Sequence, residues 1–376
     1  MIDRTIKRID WMLLFFILPI VAAGLFTMKS FTPLEDQGGF FERQVIWVAL
    51  SLLIFLAFSY IDFRFLKRTD VLVAIFLLNV AVLGVLFAVG YVSHGAQSWL
   101  NFGFFSFQPA DTMKLVLVLI LAKYFSRRHV EIRDTKHIFI SGFYAVVPMV
   151  LVLLQPDFGS AMIIGLIWLG MVLVSGISKK HLLLVFLGGA AAFTIMWLFV
   201  FAPYQKARIV SFLNPLSDIQ KSGYNVFQST IAVGSGELTG KGLGFGTQSR
   251  LKFLPEAQSD FIFAAFAEEW GFIGSILLLI LYTLLISRIL HHASLGAGNF
   301  EILFALGIAI FFMSHILINI GMNIGIMPVT GIPLPFMSYG GSHLVTEFAA
   351  LGILMSIRRY GRSAHRDDMR HEFLGV

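Results

Sequence analysis

The chain has 376 residues, of which 57% are hydrophobic and 13% charged, a composition that excludes a water-soluble globular domain of this length. It has no cysteine, which excludes disulfides, thiol nucleophiles and cysteine metal sites. The net charge of +6 sits mostly in basic clusters between apolar runs, so it reads as a topology signal and gives no ground for nucleic-acid binding.

Runs of roughly 20 apolar residues, long enough to cross a bilayer as a helix, lie near 11–29, 44–62, 71–91, 109–126, 138–155, 158–177, 182–203, 260–287, 301–327 and 337–357. The first follows a basic leader (Arg4, Lys7, Arg8) like that of a signal peptide, but it lacks a clear cleavage site and reads as an uncleaved first helix. The pattern predicts an all-α polytopic membrane protein with about ten transmembrane helices, a single integral membrane domain over 1–376. Basic clusters at Arg64/Lys67/Arg68, Lys123 to Lys136, Lys179/Lys180, Arg288 and Arg358 to Arg370 fall on the same face as the leader. The positive-inside rule then makes both termini cytoplasmic and leaves one long extracytoplasmic loop, 204–259, between helices 7 and 8.

That loop is the long polar interruption. It carries Lys206, Arg208, Lys221, Lys241, Arg250 and Lys252 against Asp218, Glu237 and Glu256. A solvated loop is one reading, since long loops are translocated with little regard to charge. An anion site at the outer leaflet is the other, because Lys241, Arg250 and Lys252 flank glycines just before a membrane helix. Within Gly240 to Gln248, GKGLGFGTQ, glycines would let backbone N–H groups converge on a phosphate; a flexible turn would look the same. It is not a Walker A motif, because Ser235 replaces the first glycine and Gly242 follows the lysine.

Asp260 ends the loop and opens the next apolar run. It could cap the helix, as could Ser259; alternatively, an ionisable group at membrane depth lines a polar cavity and can serve as a general base. Glu268 and Glu269 follow on other faces of that helix, Glu268 about 80° round from Asp260 and Glu269 opposite, so neither forms a simple carboxylate pair with it. Asp111 and Lys114, three apart at the start of the fourth run, can meet as a buried ion pair or border a cavity. Asp157 is placed to cap a helix. Pro328, Pro333 and Pro335, followed by Gly340 and Gly341, put broken backbone at membrane depth, tolerated only where protein or water satisfies it. His343 and Glu347, four apart, can share a helix face as a buried pair, and two ligands make no metal site.

The segments HGAQSWLNFGFFSFQPADTMK, LLQPDFGSAMI, YQKARIVSFLNP, GYNVFQSTIAVGSGELTGKGLGFGTQSRLKFLPEAQSDFIFAAFAEEWG and GMNIGIMPVTGIPLPFMSYGGS, in this order over roughly 90–350, resemble the SEDS family (shape, elongation, division and sporulation). GIPLPF is most similar to its rod-shape member. The resemblance implies a ten-helix bundle in the bacterial cytoplasmic membrane that polymerises lipid II into glycan strands at the outer face during elongation. It also implies a class B penicillin-binding protein as obligate partner, alongside other elongation-complex membrane proteins. The family's essential aspartate carries over to Asp260 and its acid–base pair to Asp111 and Lys114. Three positions depart from the family pattern: Asp111 stands where Glu is common, Ser98 where Arg is common, and Gln258-Ser259 where His-Thr is common.

The mechanism this implies is attack of a sugar hydroxyl on an anomeric carbon, with undecaprenyl diphosphate leaving. Asp260 is the expected base; Asp111, Lys114, Glu256 and Gln258 support its cavity; Arg208, Lys241, Arg250 and Lys252 hold the diphosphate. The loop would then be a lid with Asp260 at the floor. No cofactor or protein-bound metal is required, although a divalent cation could assist the diphosphate. A lipid II flippase is the rival reading, and it predicts charges through the whole bilayer depth. A scaffold that only recruits a partner would give Asp260 no role.

Overall fold

The computed structural model describes residues 9–31, 39–89, 91–93, 96–101, 103, 106–127, 135–176, 178–214 and 222–374. Arg4, Lys7, Arg8, Arg128, Arg133, Asp218 and Lys221 lie outside them. Each predicted apolar run coincides with a long helix: α1 Trp11–Phe31, α2 Phe40–Tyr60, α3 Thr69–Val89, α4 Pro109–Ser126, α5 Thr135–Leu154, α6 Phe158–Val174, α7 Lys179–Ile195, α11 Ile262–Ser294, α12 Asn299–Asn323 and α13 Gly341–Leu374. Seven of them are long and apolar enough to span a membrane by length and composition alone; α4 and α13 carry charges and α6 is shorter. Large apolar side chains such as Leu53, Phe143 and Phe199 point outward, a pattern that would aggregate in water and suits lipid contact.

The polar loop is not unstructured. It holds α8 Pro203–Leu213, α9 Ser222–Ser235 and α10 Thr247–Arg250. The seventh run is also shorter as an α-helix than expected, passing from α7 through a π-helical turn, Met196–Val200, before Pro203 starts α8. Between α3 and α4, where sequence periodicity gave no strand signal, β1 Tyr91–Ser93, β2 Ala96–Asn101 and β3 Ser106–Phe107 form an antiparallel sheet, with Tyr91 opposite Trp99 and Leu100 opposite Phe107.

Helix α12 is the axis of the bundle. Its spanning window is 72% buried, against 6% for that of α7, which stands exposed at the periphery. Around α12 pack α4, α6, α11 and α13, with α2 on α13 and α1 on α11. At one end of the bundle Asp10 pairs with Arg288 (2.7 Å) and His292 (2.8 Å), and Lys67 pairs with Glu301. These belong to the face expected to be cytoplasmic. Asp260 precedes the opposite end of α11.

α11 is broken, contrary to the single run expected over 260–287. Gly271 has φ 68° and ψ −164°, a conformation open only to glycine. The break frees backbone groups, and the loop before it supplies their partners. Lys241 N and Gly242 N donate to the carbonyls of Glu268 and Glu269 (both 3.0 Å), while Phe272 N and Ile273 N donate to Glu237 O (2.8 Å) and Leu238 O (3.1 Å). Residues 237–242 are thus spliced into a membrane helix, which satisfies backbone that lipid could not. The contact is so close that a Cβ at Gly236 would lie 2.0 Å from Ala267 O, and one at Gly240 2.1 Å from Glu269 O.

Side chains lock the splice. The buried Glu268 carboxylate accepts from Thr247 N (2.7 Å), Gln248 N (3.0 Å) and Ser249 N (3.3 Å) at the start of α10, and pairs with Lys241 Nζ at 2.8 Å. Glu269 accepts from Gly244 N at 3.0 Å. The converging N–H groups expected to cradle a phosphate therefore hold the protein's own carboxylates, and the loop is pinned to α11 rather than free to act as a lid.

Gly240→Ala should lower the stability of the detergent-solubilised protein by at least about 2 kcal/mol, from positive φ and overpacking together. Gly244→Ala, whose Cβ would meet nothing within 4 Å, should cost only about 1 kcal/mol; equal melting shifts would contradict the splice. Removing Glu268 leaves three backbone donors unpaired, whereas removing the part-exposed Lys241 does not. Limited proteolysis within 236–252 should therefore increase far more for Glu268→Ala, by about 3 kcal/mol of opening free energy, than for Lys241→Ala, at about 1 kcal/mol.

Candidate active site

The site is built on one stripe of α12. His315, Asn319 and Asn323, each four residues from the next, are fully buried on this helix. Asn319 Nδ2 and Asn323 Nδ2 both donate to the carbonyl of Asp260, at 2.9 and 3.0 Å. Asn323 Oδ1 accepts from Ala264 N at 3.0 Å in the first turn of α11. That turn has Phe261, rather than Ser259 or Asp260, at its cap position, and the Phe261 side chain makes no cap bond. Asn323 supplies an acceptor to that turn, and the two asparagines together clamp the backbone of Asp260 in place.

The Asp260 carboxylate lies against a strap, residues 328–340, joining α12 to α13. A Cβ at Gly331 would stand 3.4 Å from Asp260 Oδ2, and Gly331 has φ 72°, so glycine serves both the turn and the close approach. Beyond it, the strap's backbone is held at successive residues. Ile332 O accepts from Asn319 (2.7 Å), Leu334 N donates to Ser338 Oγ (2.7 Å), Pro335 O accepts from Tyr282 Oη (2.6 Å) and Phe336 N donates to Glu347 Oε2 (2.9 Å). His315 Nδ1 is 3.3 Å from Pro333 O. On the other side, Ser338 Oγ donates to Ser259 O (2.6 Å) and Tyr339 N to Gln258 O (2.8 Å). The broken backbone predicted around the prolines is thus satisfied by protein, as burial at that depth demands.

Glu256 and Gln258 support this segment locally. Glu256 turns at φ 50° and accepts from Ser259 Oγ at 3.1 Å and from Gln258 Nε2 at 3.5 Å. Asp157 caps α6 through Ser160 N and also accepts from Gln108 Nε2, both at 2.9 Å. Asp111 and Lys114, each 2% exposed, pair at 3.0 Å. His343 and Glu347 pair at 2.9 Å, and His343 Nδ1 lies 3.3 Å from Asp111 Oδ1. The two pairs that the sequence presents separately form one buried group at the start of α4 and α13. Ser98 is buried in β2.

The four expected diphosphate cations have different surroundings. Arg208, on α8, lines a small cavity with Phe158, Gln205, Pro328 and Val329, beside the strap and a few residues from Gly331. Arg250 Nη1 donates to Gly244 O at 3.0 Å within the glycine loop, and Lys241 is engaged by Glu268. Lys252 is exposed, at φ 60°. Along α11 Glu268 is eight residues from Asp260, a rise of about 12 Å, so Lys241 acts at the splice and not at the strap. Among the described residues no group of three or more His, Asp or Glu side chains is arranged to hold a metal ion.

The buried stripe His315, Asn319, Asn323 and its clamp on Asp260 were not anticipated. The available signal was three polar residues at a spacing of four in an otherwise apolar helix, which marks a functional or structural partner at membrane depth.

Comparison with known proteins places this geometry. The profile of the cell cycle protein family that groups FtsW, RodA and SpoVE matches residues 5–363. The peptidoglycan glycosyltransferase MrdB of Escherichia coli K12 is 38% identical over 322 residues, covering 86% of each chain. The stage V sporulation protein E of Bacillus subtilis 168 is 36% identical over 366 residues, covering 94% of this chain and 98% of its own. A chain from a peptidoglycan synthase complex that coordinates polymerization and crosslinking superposes with a TM-score of 0.79 at 30% identity, covering 93% of this chain and 98% of its own. The crystal structure of the Thermus thermophilus rod shape determining protein RodA superposes with a TM-score of 0.70 at 28% identity, covering 94% and 97%. With the family profile matching nearly its whole length, the chain belongs to the SEDS family.

Proposed function

We propose that Asp260 is the general base of a glycosyl transfer on lipid II, carried out at the outer face of the bacterial cytoplasmic membrane. The chain is a multi-pass peptidoglycan glycosyltransferase of cell elongation. The observation that carries the role of Asp260 is its fixed placement: a carboxylate just before a helix of membrane-spanning length, whose backbone is clamped by two asparagines and whose side chain faces Gly331. A base held this way needs no reorganisation as the reaction proceeds.

In this reading a sugar hydroxyl loses its proton to Asp260 as its oxygen bonds to the anomeric carbon of the other substrate. The bond from that carbon to the diphosphate oxygen breaks, and undecaprenyl diphosphate leaves. Arg208, Arg250 and Lys252 are proposed to hold the departing charge; Lys241 contributes by fixing the loop that carries Arg250. Asp111, Lys114, Glu256 and Gln258 support the cavity. The peripheral, exposed α7 suits passage of a prenyl tail from the lipid. No resident cofactor is proposed, and an assisting divalent cation would arrive with the diphosphate. The partner proposed is a class B penicillin-binding protein, within an assembly of other elongation membrane proteins. We read 1–376 as one membrane domain, with both termini cytoplasmic and 204–259 outside.

Purified chain given lipid II together with such a partner should form glycan polymer, and Asp260→Asn should lower the rate by at least about 100-fold while the melting temperature holds. Retained activity would remove Asp260 from the role. Lipid scrambled between leaflets without polymer would instead point to transport.

A further inference from the structure

Asp111, Lys114, His343 and Glu347 form one buried group of two carboxylates, a lysine and a histidine. The His343 to Glu347 contact of 2.9 Å is an ion-pair distance at an angle poor for hydrogen bonding, and Asp111 Oδ2 is buried with no hydrogen-bond partner. His315 lies against His343, with ring centroids 4.7 Å apart and the planes tilted by 33°, and reaches Pro333 O on the strap.

One feature of the strap is strained. Phe336 has φ 62° and is 2% exposed; a bulky aromatic residue in the left-handed region persists only where its surroundings over-determine it. The group that holds its N–H is Glu347 Oε2, at 2.9 Å. From Phe336 back to Gly331 the strap contains Pro333 and Pro335, which fix φ, and four further side chains hold its backbone. Such a segment transmits displacement rather than absorbing it.

We propose that Glu347, presented by His343 and the Asp111–Lys114 pair, is a positioning residue that holds the strained strap in register against the Asp260 carboxylate. This rests on the reading of Asp260 as the base. Glu347 touches no substrate; it acts through Phe336 and the strap, so its loss should alter the rate more than substrate affinity. A reacting group misplaced by about 1 Å can cost on the order of 100-fold in rate.

The test uses the full chain with Glu347→Gln, which keeps an acceptor for the Phe336 N–H, Glu347→Leu, which removes it, and His343→Gln. Hydrogen–deuterium exchange reads the coupling without activity. Glu347→Leu should speed exchange both in 330–338 and in 256–264, with Glu347→Gln intermediate. With lipid II as substrate, kcat per folded protein should fall at least about 10-fold for Glu347→Leu and less for Glu347→Gln, with KM within about twofold. Faster exchange confined to 330–338, an unchanged kcat, or failure of all three variants to fold would overturn the proposal by assigning the group to local packing or stability alone. A wild-type chain inactive on lipid II would count against the activity, while the exchange experiment would still decide the positioning role.

Discussion

The structure depends on one backbone substitution inside a membrane helix. Gly271 breaks α11, a helix long and apolar enough to span a membrane, and lipid could not satisfy the amides and carbonyls that a break frees. Residues 237–242 of the preceding loop fill the gap with four hydrogen bonds, and Glu268 and Glu269 then bind the glycine loop through its own amides. Neither partner is complete alone. The helix needs the loop to close its hydrogen bonds, and the loop needs the helix because a chain without cysteine has no disulfide to hold its shape.

That splice sets the first helical half of α11, and with it the position of Asp260. The rest of the placement comes from α12, whose buried asparagines hold the Asp260 carbonyl, and from the strap that lies against its carboxylate. Three elements distant in sequence therefore converge on one residue. The arrangement trades flexibility for pre-organisation. The floor of the site is rigid, and the exposed α7 is the element left unencumbered by the bundle. The charged group at Asp111, Lys114, His343 and Glu347 extends this logic, since it ends on the backbone of the strap rather than in open space.

Much of this was legible in the sequence because it is local. Apolar runs set the ten long helices, the Asp157 cap follows from its place before a helix, and the Asp111–Lys114 pair follows from a spacing of three. The resemblance of LPEAQSDFIF to the family's motif singles out Asp260 directly. What stayed hidden depends on contacts between distant segments. The pairing of 237–242 with 268–273 runs through backbone, so its only traces are glycines, and glycines before a helix also fit an anion cradle. Lys241 reads as available for phosphate because it flanks glycines just before a membrane helix, and its partner Glu268 is 27 residues away in the chain. The strands at 91–107 are too short for a periodic signal, and the His315, Asn319, Asn323 stripe was masked by the apolar residues around it.

The absence of cysteine allows a clean test of whether the loop is a fixed part of the platform. Leu238 and Ile273 are joined by a backbone hydrogen bond across the splice, and both side chains are exposed, so a cysteine pair at these positions would report on the splice alone. The measurement is lipid II polymerisation by the Leu238→Cys, Ile273→Cys chain before and after oxidation. The account predicts that the disulfide forms and the oxidised chain keeps the rate of the reduced one. A rate lost on oxidation and restored by reductant would contradict it, because the loop would then have to leave α11 during turnover.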